Sequence, residues 1–103
     1  MTNTELRELI RDKVCDEETL DNILLLEGDE FADGAIGITE DNRVVYSYSR
    51  LVESLSEAYN LEGSKEEREL QASEWLNYNT LRAIPYMNKG GQLAPLVIFE
   101  FEE

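Results

Sequence analysis

This chain of 103 residues carries 23 acidic and nine basic side chains, which gives a net charge of −14 at pH 7. Such an excess of negative charge disfavours direct nucleic-acid binding, which depends on lysine and arginine side chains that displace counterions from the phosphates. The single cysteine excludes an intramolecular disulfide, and the longest apolar run is far shorter than the ~20 residues of a membrane span. We therefore expect one soluble, cytoplasmic domain over residues 1–103, without membrane association.

Two helices are predicted in the N-terminal quarter. Thr2 and Glu5 have the spacing of a capping box, and apolar residues at helical spacing follow them, which predicts a helix over about residues 3–14. Asp16 is a favourable N-terminal cap for a second, short helix, which the polar sequence around Gly28 ends. The apolar residues assigned to this second helix are Leu20, Ile23 and Leu24.

A β-hairpin and a third helix follow. Residues 35–39 and 44–47 are rich in β-forming side chains, and four polar residues separate them, which predicts two antiparallel strands joined by a short loop. The next apolar residues recur at helical spacing and predict a helix with one apolar face. The residues on that face are Tyr48, Leu51, Val52, Leu55 and Tyr59.

A fourth, long helix is predicted in the second half of the chain. Ser64 and Glu67 have the spacing of a second capping box, and the helix that they open extends to about Leu81. Pro85 prevents further continuation, because proline lacks an amide donor and restricts the residue before it.

A loop at residues 88–91 and a strand over residues 96–101 complete the predicted elements. The order is therefore helix, helix, hairpin, helix, helix, strand. This order predicts an α+β domain in which about four helices pack on a three-stranded sheet, either antiparallel or mixed.

The sequence offers no recognisable catalytic or cofactor-binding motif. It contains no histidine, which excludes Ser-His-Asp and Cys-His arrangements and most zinc sites. The glycine-rich motifs that cradle phosphates and dinucleotides do not occur. Paired carboxylates are frequent in any chain this acidic, so they carry little information about catalysis. We therefore predict a protein that is not an enzyme and that uses no cofactor or metal.

The segment from Asp29 to Glu40 partly matches a calcium-binding EF-hand loop. It places carboxylates at the first, fifth and twelfth loop positions, which are Asp29, Asp33 and Glu40, and glycine at the sixth. Phe31 occupies the third position, where it cannot bind a cation, and a strand rather than a helix is predicted to follow. A small-ligand or calcium-binding module is one interpretation of this segment. A plain turn into the first strand is the other.

Residues 74–87 hold a second group of candidate residues. Their aromatic and arginine side chains could form a recognition surface, because Trp, Tyr and Arg dominate interface hot spots. Alternatively they belong to the core, with Trp75, Leu76 and Asn79 on one helical face. In that case Asn79 satisfies backbone groups near the helix end, and Arg82 pairs with nearby carboxylates. The candidate recognition or structural residues are Trp75, Tyr78, Asn79, Arg82 and Tyr86.

The third candidate is an acidic cluster. Residues 1–33 hold eleven of the 23 acidic side chains and three of the nine basic ones. Exposed carboxylates keep a protein soluble or suit a saline habitat, and they can also engage a basic partner surface or imitate DNA phosphates. The candidate partner-binding residues are Asp16, Glu17, Glu18, Asp21, Glu27, Asp29, Glu30 and Asp33.

Three stretches resemble a family of small proteins encoded by bacteriophages and prophages. They are DGAIGITEDNRVVYSYSRLVESL (residues 33–55), EWLNYNTLRAIPYM (74–87) and APLVIFEF (94–101). The resemblance rests on the hairpin–helix pattern and on the N-T-x-R-A-x-P-Y stretch at residues 79–86, and the acidic N-terminal region lies outside it. It implies a viral accessory protein, and it brings no catalytic residue with it.

These patterns favour a non-enzymatic acidic protein that acts in the host cytoplasm. As a phage or prophage accessory factor, it would engage the basic surface of a host protein, such as a defence or nucleic-acid enzyme, by electrostatic attraction or DNA mimicry. The alternatives are the small-ligand or calcium-binding module and a structural or assembly component of the virion.

Overall fold

The computed structural model describes residues 1–59, 62–87 and 92–101. The predicted α+β class, with helices packed on a three-stranded sheet, is confirmed, and two further one-turn helices, Asp29–Ala32 and Ile84–Met87, are present. The predicted loop at 88–91 lies outside the described residues. The elements are α1 Asn3–Lys13, α2 Glu17–Asn22, α3 Asp29–Ala32, β1 Ala35–Ile38, β2 Val44–Ser47, α4 Tyr48–Ala58, α5 Lys65–Trp75, a π-helical segment Leu76–Leu81, α6 Ile84–Met87 and β3 Leu96–Ile98.

The sheet is mixed, and β2 is its central strand. β1 pairs with β2 in the antiparallel direction, as the hairpin pattern predicted. β3 pairs with β2 in parallel, which requires a long crossover, and helices α4 to α6 supply it. No helix in the described ranges is long and apolar enough to cross a membrane.

The capping signals correctly predicted where helices begin. In α1, the Glu5 amide donates to Thr2 Oγ1 over 3.2 Å, and the Thr2 amide donates to Glu5 Oε1 over 3.1 Å. At the start of α5, the Glu67 amide donates to Ser64 Oγ over 3.2 Å. These side chains satisfy amides that have no partner within the helix.

The predicted end of the second helix was wrong. α2 ends at Asn22, because the following residues pair with a distant segment instead of continuing the helix. Ile23 forms a parallel bridge with Leu93, the Leu24 amide donates to the Leu93 carbonyl over 3.0 Å, and the Leu93 amide donates to the Asn22 carbonyl over 2.8 Å.

The last strand and the last helix also differ from the prediction. β3 ends at Ile98, so Phe99 and Phe101 lie beyond it and are exposed. The long helix does continue to Leu81, but as a π-helical segment after Trp75. Pro85 then lies in the first turn of α6, where a proline needs no amide donor.

Tyr46 lies at the centre of the core. It is fully buried on β2, and its hydroxyl accepts a hydrogen bond of 3.2 Å from the Leu26 amide. Burial raises the pKa of Tyr46 above its ordinary value of 10.0. Leu51, Leu55 and Leu76 are also fully buried, so α4 and the π-helical segment pack into the same core.

Replacing Tyr46 by phenylalanine is expected to lower the free energy of unfolding by about 1–3 kcal/mol, because the buried Leu26 amide loses its acceptor. Because the pKa of Tyr46 is raised in the fold, its contribution is complete below pH 10 and is lost as pH rises through the folded pKa. Urea unfolding between pH 7 and 11 should therefore show a weaker alkaline loss of stability in Tyr46→Phe. Identical pH dependence in both proteins would contradict this assignment.

Gly34 and Gly37 form a matched pair of substitution sites. A Cβ added at Gly34 would lie 2.5 Å from Cδ2 of the buried Leu51, whereas one added at Gly37 would meet open space. We expect Gly34→Ala to lower the free energy of unfolding by about 1–3 kcal/mol through overpacking. Gly37→Ala should change it by no more than about 1 kcal/mol in either direction. Urea unfolding of the two variants measures both effects, and equal losses would show that the Leu51 contact is not the cause.

Candidate functional site

The negative charge of the chain lies on its surface. None of the 21 carboxylate side chains in the described ranges is buried. Within those ranges two ion pairs form, one between the Met1 ammonium and Asp33 at 2.7 Å and one between Lys65 and Glu69 at 3.9 Å. Most of the acidic side chains therefore have no intramolecular ion pair among the described residues and are available to a partner.

The structure divides the predicted acidic cluster into two halves. In the first half, Glu17 and Asp21 line a depression together with Arg7 and Arg11 from α1, so basic side chains are close to these two carboxylates. This proximity reduces the local negative potential on that side of the molecule. All four members of this half are exposed, namely Asp16, Glu17, Glu18 and Asp21.

Asp16 makes its hydrogen bonds within its own helix region. Its carboxylate accepts a hydrogen bond of 2.6 Å from the Thr19 hydroxyl. This bond lowers the pKa of Asp16, because it favours the charged form. Asp16 occupies the predicted cap position of α2, but its side chain makes no capping hydrogen bond to the helix and binds the Thr19 hydroxyl instead.

In the second half of the cluster, two carboxylates hold the start of α1. Asp29 accepts a hydrogen bond of 2.8 Å from the Asn3 amide, and Asp33 accepts one of 2.7 Å from the Met1 ammonium. The hydrogen bond and the charge of Asp33 raise the pKa of that amine above 8.0. Glu27 is exposed. Asp29 and Asp33 therefore have a structural role as well as a charge.

Glu30 is the partly buried member of this half. Its Oε1 accepts a hydrogen bond of 3.0 Å from the Tyr59 hydroxyl, and its main-chain carbonyl accepts one of 2.7 Å from Ser54 Oγ. Both donors belong to α4 or to its C-terminal end, so Glu30 attaches α3 to α4 at two points.

Trp75, one of the aromatic candidates, lies close to the predicted acidic cluster. Its ring meets the Tyr59 ring edge-on with 5.6 Å between centroids, and it stacks at 6.3 Å on the buried ring of Phe31. Because Tyr59 also donates to Glu30, a predicted aromatic residue and a predicted acidic residue contact the same tyrosine. Trp75 is 39% exposed, so it is not the core residue of the alternative interpretation.

Ser54, whose hydroxyl binds the Glu30 carbonyl, connects this group to a depression with further carboxylates. Asp33, Glu53 and Glu57 line an open depression of about 390 Å³ between α3 and α4, together with Arg50 and Ser54. Glu53 and Glu57 were not predicted as site residues, although their four-residue spacing places them on one face of a helix. We name this surface the aromatic–acidic patch. It consists of Glu30, Asp33, Glu53, Glu57, Tyr59 and Trp75.

The predicted helical face of Trp75, Leu76 and Asn79 was wrong. Leu76 is fully buried, four residues after the buried Ala72, whereas Trp75 and Asn79 are exposed, so the buried side of the helix is the one that carries Ala72 and Leu76. The Asn79 amide group donates to the Trp75 carbonyl over 3.1 Å. Asn79 therefore does satisfy a backbone group, as predicted, but from the surface.

The remaining aromatic candidates lie outside the patch. Tyr78 and Tyr86 are 70% and 75% exposed. The Arg82 guanidinium lies 5.2 Å from the centre of the Tyr78 ring, a cation–π contact. The predicted pairing of Arg82 with a carboxylate does not occur among the residues that the structure describes.

The segment from Asp29 to Glu40 does not form an open loop around a cation. Its beginning is the one-turn helix α3, and Ala35–Ile38 is the strand β1. Asp29 and Asp33 contact the start of α1 instead of converging on one point. In the described ranges no three Asp, Glu, Cys or His side chains are grouped as metal ligands.

Comparisons with family models, curated proteins and solved structures gave no match to this chain.

Replacing Glu30 by glutamine is expected to lower the pKa of Tyr59. Burial, then the hydrogen bond to Glu30 and the charge of Glu30, raise that pKa above 10.0. The variant keeps the burial but loses the negative charge, so the pKa should move back toward 10. An NMR pH titration of the Tyr59 ring measures it. Glu40→Gln, in the hairpin loop, is the control with the same change in net charge. A shift of equal size in the control would disprove a direct contact.

Proposed function

We propose that this protein is a non-enzymatic binding protein whose aromatic–acidic patch engages a basic surface of a partner protein. The observation that carries the proposal is the contact of Trp75 with Tyr59, whose hydroxyl binds Glu30 beside further carboxylates. Partly exposed aromatic rings next to carboxylates suit arginine and lysine side chains, which stack on the rings and pair with the acids.

The net charge of −14 supports the same proposal. A field of one sign raises the rate at which an oppositely charged partner arrives, and local contacts then determine the affinity. Exposed carboxylates without intramolecular partners keep this field in place. The absence of histidine from the sequence supports a role in binding rather than in acid–base catalysis.

The resemblance to phage and prophage proteins supports a host protein as the partner. A basic surface is typical of enzymes that bind nucleic acids, because such surfaces neutralise phosphates. Carboxylates in the patch would then occupy a surface that otherwise contacts phosphates. We therefore propose a host defence or nucleic-acid enzyme as the class of partner.

The test is affinity capture from a bacterial lysate with two matched double variants. Glu53→Gln/Glu57→Gln changes the patch, and Glu8→Gln/Glu62→Gln makes the same change in net charge on exposed residues that share no depression with it. We expect the wild-type chain to retain a basic protein, identified by mass spectrometry, and to lose it as salt rises, because salt screens charges between exposed groups. The patch variant should retain about tenfold less of it, since a loss of about 1.4 kcal/mol in binding corresponds to that factor.

The control variant separates patch recognition from general attraction. It should retain nearly as much partner as the wild type. Equal losses in both variants, or capture of no basic protein, would contradict the proposed function.

A further inference from the structure

A separate apolar groove lies along β1, which is an edge strand of the sheet. It has a volume of about 680 Å³ and runs between α1 and β1. Its lining is mainly aliphatic, with Asp12, Lys13 and the Met1 ammonium as its charged groups. None of the residues of the aromatic–acidic patch lines it, although the Met1 ammonium pairs with Asp33 of the patch. The groove is therefore a neighbouring surface with different chemistry.

Large apolar side chains in this groove face the solvent. Leu9 on α1 is 52% exposed, and Ile36 on β1 is 40% exposed. Leu6 and Ile10, which are buried core residues, form the floor of the same groove, so Leu9 and Ile36 lie above a core that is already closed. Exposed apolar residues grouped in one concave surface indicate a site for a partner.

The charges around the groove are mainly negative. Glu5, Leu9 and Asp12 are spaced by four and three residues and so share one face of α1. The two arginines of α1 line the depression beside α2 instead. Glu40 and Asp41 are exposed and follow β1 directly in the hairpin loop. Lys13 is the one basic side chain in the lining.

Two observations exclude other occupants. A second copy of this chain would bring carboxylates of one sign together, and each copy has a net charge of −14. An added β-strand would not find a regular edge, because a bulge between Ala35 and Gly37 interrupts the register of β1. A helix needs no free backbone groups from the groove, since it satisfies its own.

We propose that the groove binds a basic amphipathic helix of the partner protein. The apolar face of that helix packs on Leu9 and Ile36, and its lysine and arginine side chains reach the carboxylates of Glu5 and Asp12. The inference rests on the proposed function only in that the partner is basic, because it uses a different surface.

Gly37 allows the groove to be closed without disturbing the core. It lines the groove, and a side chain added there meets open space. Gly37→Trp therefore fills the groove from the β1 side. Leu9→Gln is the second variant, which removes an exposed apolar contact without changing the charge. Leu70→Gln makes the same replacement at a residue that is 60% exposed on α5, outside the groove, and is the control.

The probe is a synthetic amphipathic peptide of leucine and lysine, about 18 residues long or about five helical turns. Calorimetric titration into the full chain at low salt should show binding. A peptide of the same composition in scrambled order should bind far more weakly. Gly37→Trp and Leu9→Gln should each weaken binding by about tenfold, and Leu70→Gln should not.

The outcomes separate this inference from the proposed function. If wild type, Gly37→Trp and Leu9→Gln bind the peptide equally, the proposal that the groove binds a helix is overturned. It is also overturned if only Glu53→Gln/Glu57→Gln loses peptide binding, a result that would support the patch as the binding site instead. If Gly37→Trp proves unfolded by circular dichroism, Leu9→Gln decides the question. A dimer in sedimentation that Leu9→Gln disrupts would identify a second copy as the occupant and would also overturn the inference. Lysate capture through the patch does not affect any of these results.

Discussion

The hydrogen bond from the Leu26 amide to the Tyr46 hydroxyl joins the two parts of the chain from which the rest of the fold is built. Tyr46 belongs to the central strand, so its position is fixed by pairing on both sides. Leu26 comes just before α3, and the bond therefore places α3 relative to the sheet. Ser47 follows Tyr46, donates its amide to the Gly34 carbonyl over 2.8 Å and begins α4. One buried polar contact thus constrains both helices that carry the acidic depression, and in a low-dielectric core such a contact is costly to break.

The same arrangement explains how a compact chain holds so much negative charge. The carboxylates are in water, where repulsion between like charges is weak and screened by salt. Two of these carboxylates, Asp29 and Asp33, also accept hydrogen bonds from the start of α1. The arginines of α1 face Glu17 and Asp21, so the uncompensated charge lies toward α3, α4 and the groove. Charge is therefore distributed unevenly, and the depression of the patch holds three carboxylates beside one arginine.

The sequence predicted those features whose cause is local. Caps at Thr2 and Ser64, the hairpin and the apolar face of α4 depend on residues a few positions apart, and all are present, except that Tyr59 lies just beyond α4 and is exposed. The end of α2 depends on Leu93, which is distant in sequence, and helical spacing cannot register it. Trp75 ends α5 beside the buried Leu76, and the apolar pattern of the sequence does not show which of these two neighbours faces the core. The sequence thus predicted local features such as helix starts better than it predicted which distant residues are in contact.

The candidate site, too, depends on contacts between residues that are distant in sequence. The acidic cluster and the aromatic segment were separate hypotheses, and Tyr59 joins them because it contacts both Trp75 and Glu30. Ser54 of α4 also binds the main-chain carbonyl of Glu30, and Tyr59 binds its carboxylate, so Glu30 is held in place before any partner arrives. A surface that is already ordered loses less conformational entropy on binding than one that must be assembled. The proposed affinity for basic side chains therefore follows less from the number of carboxylates than from the few that the fold holds beside aromatic rings.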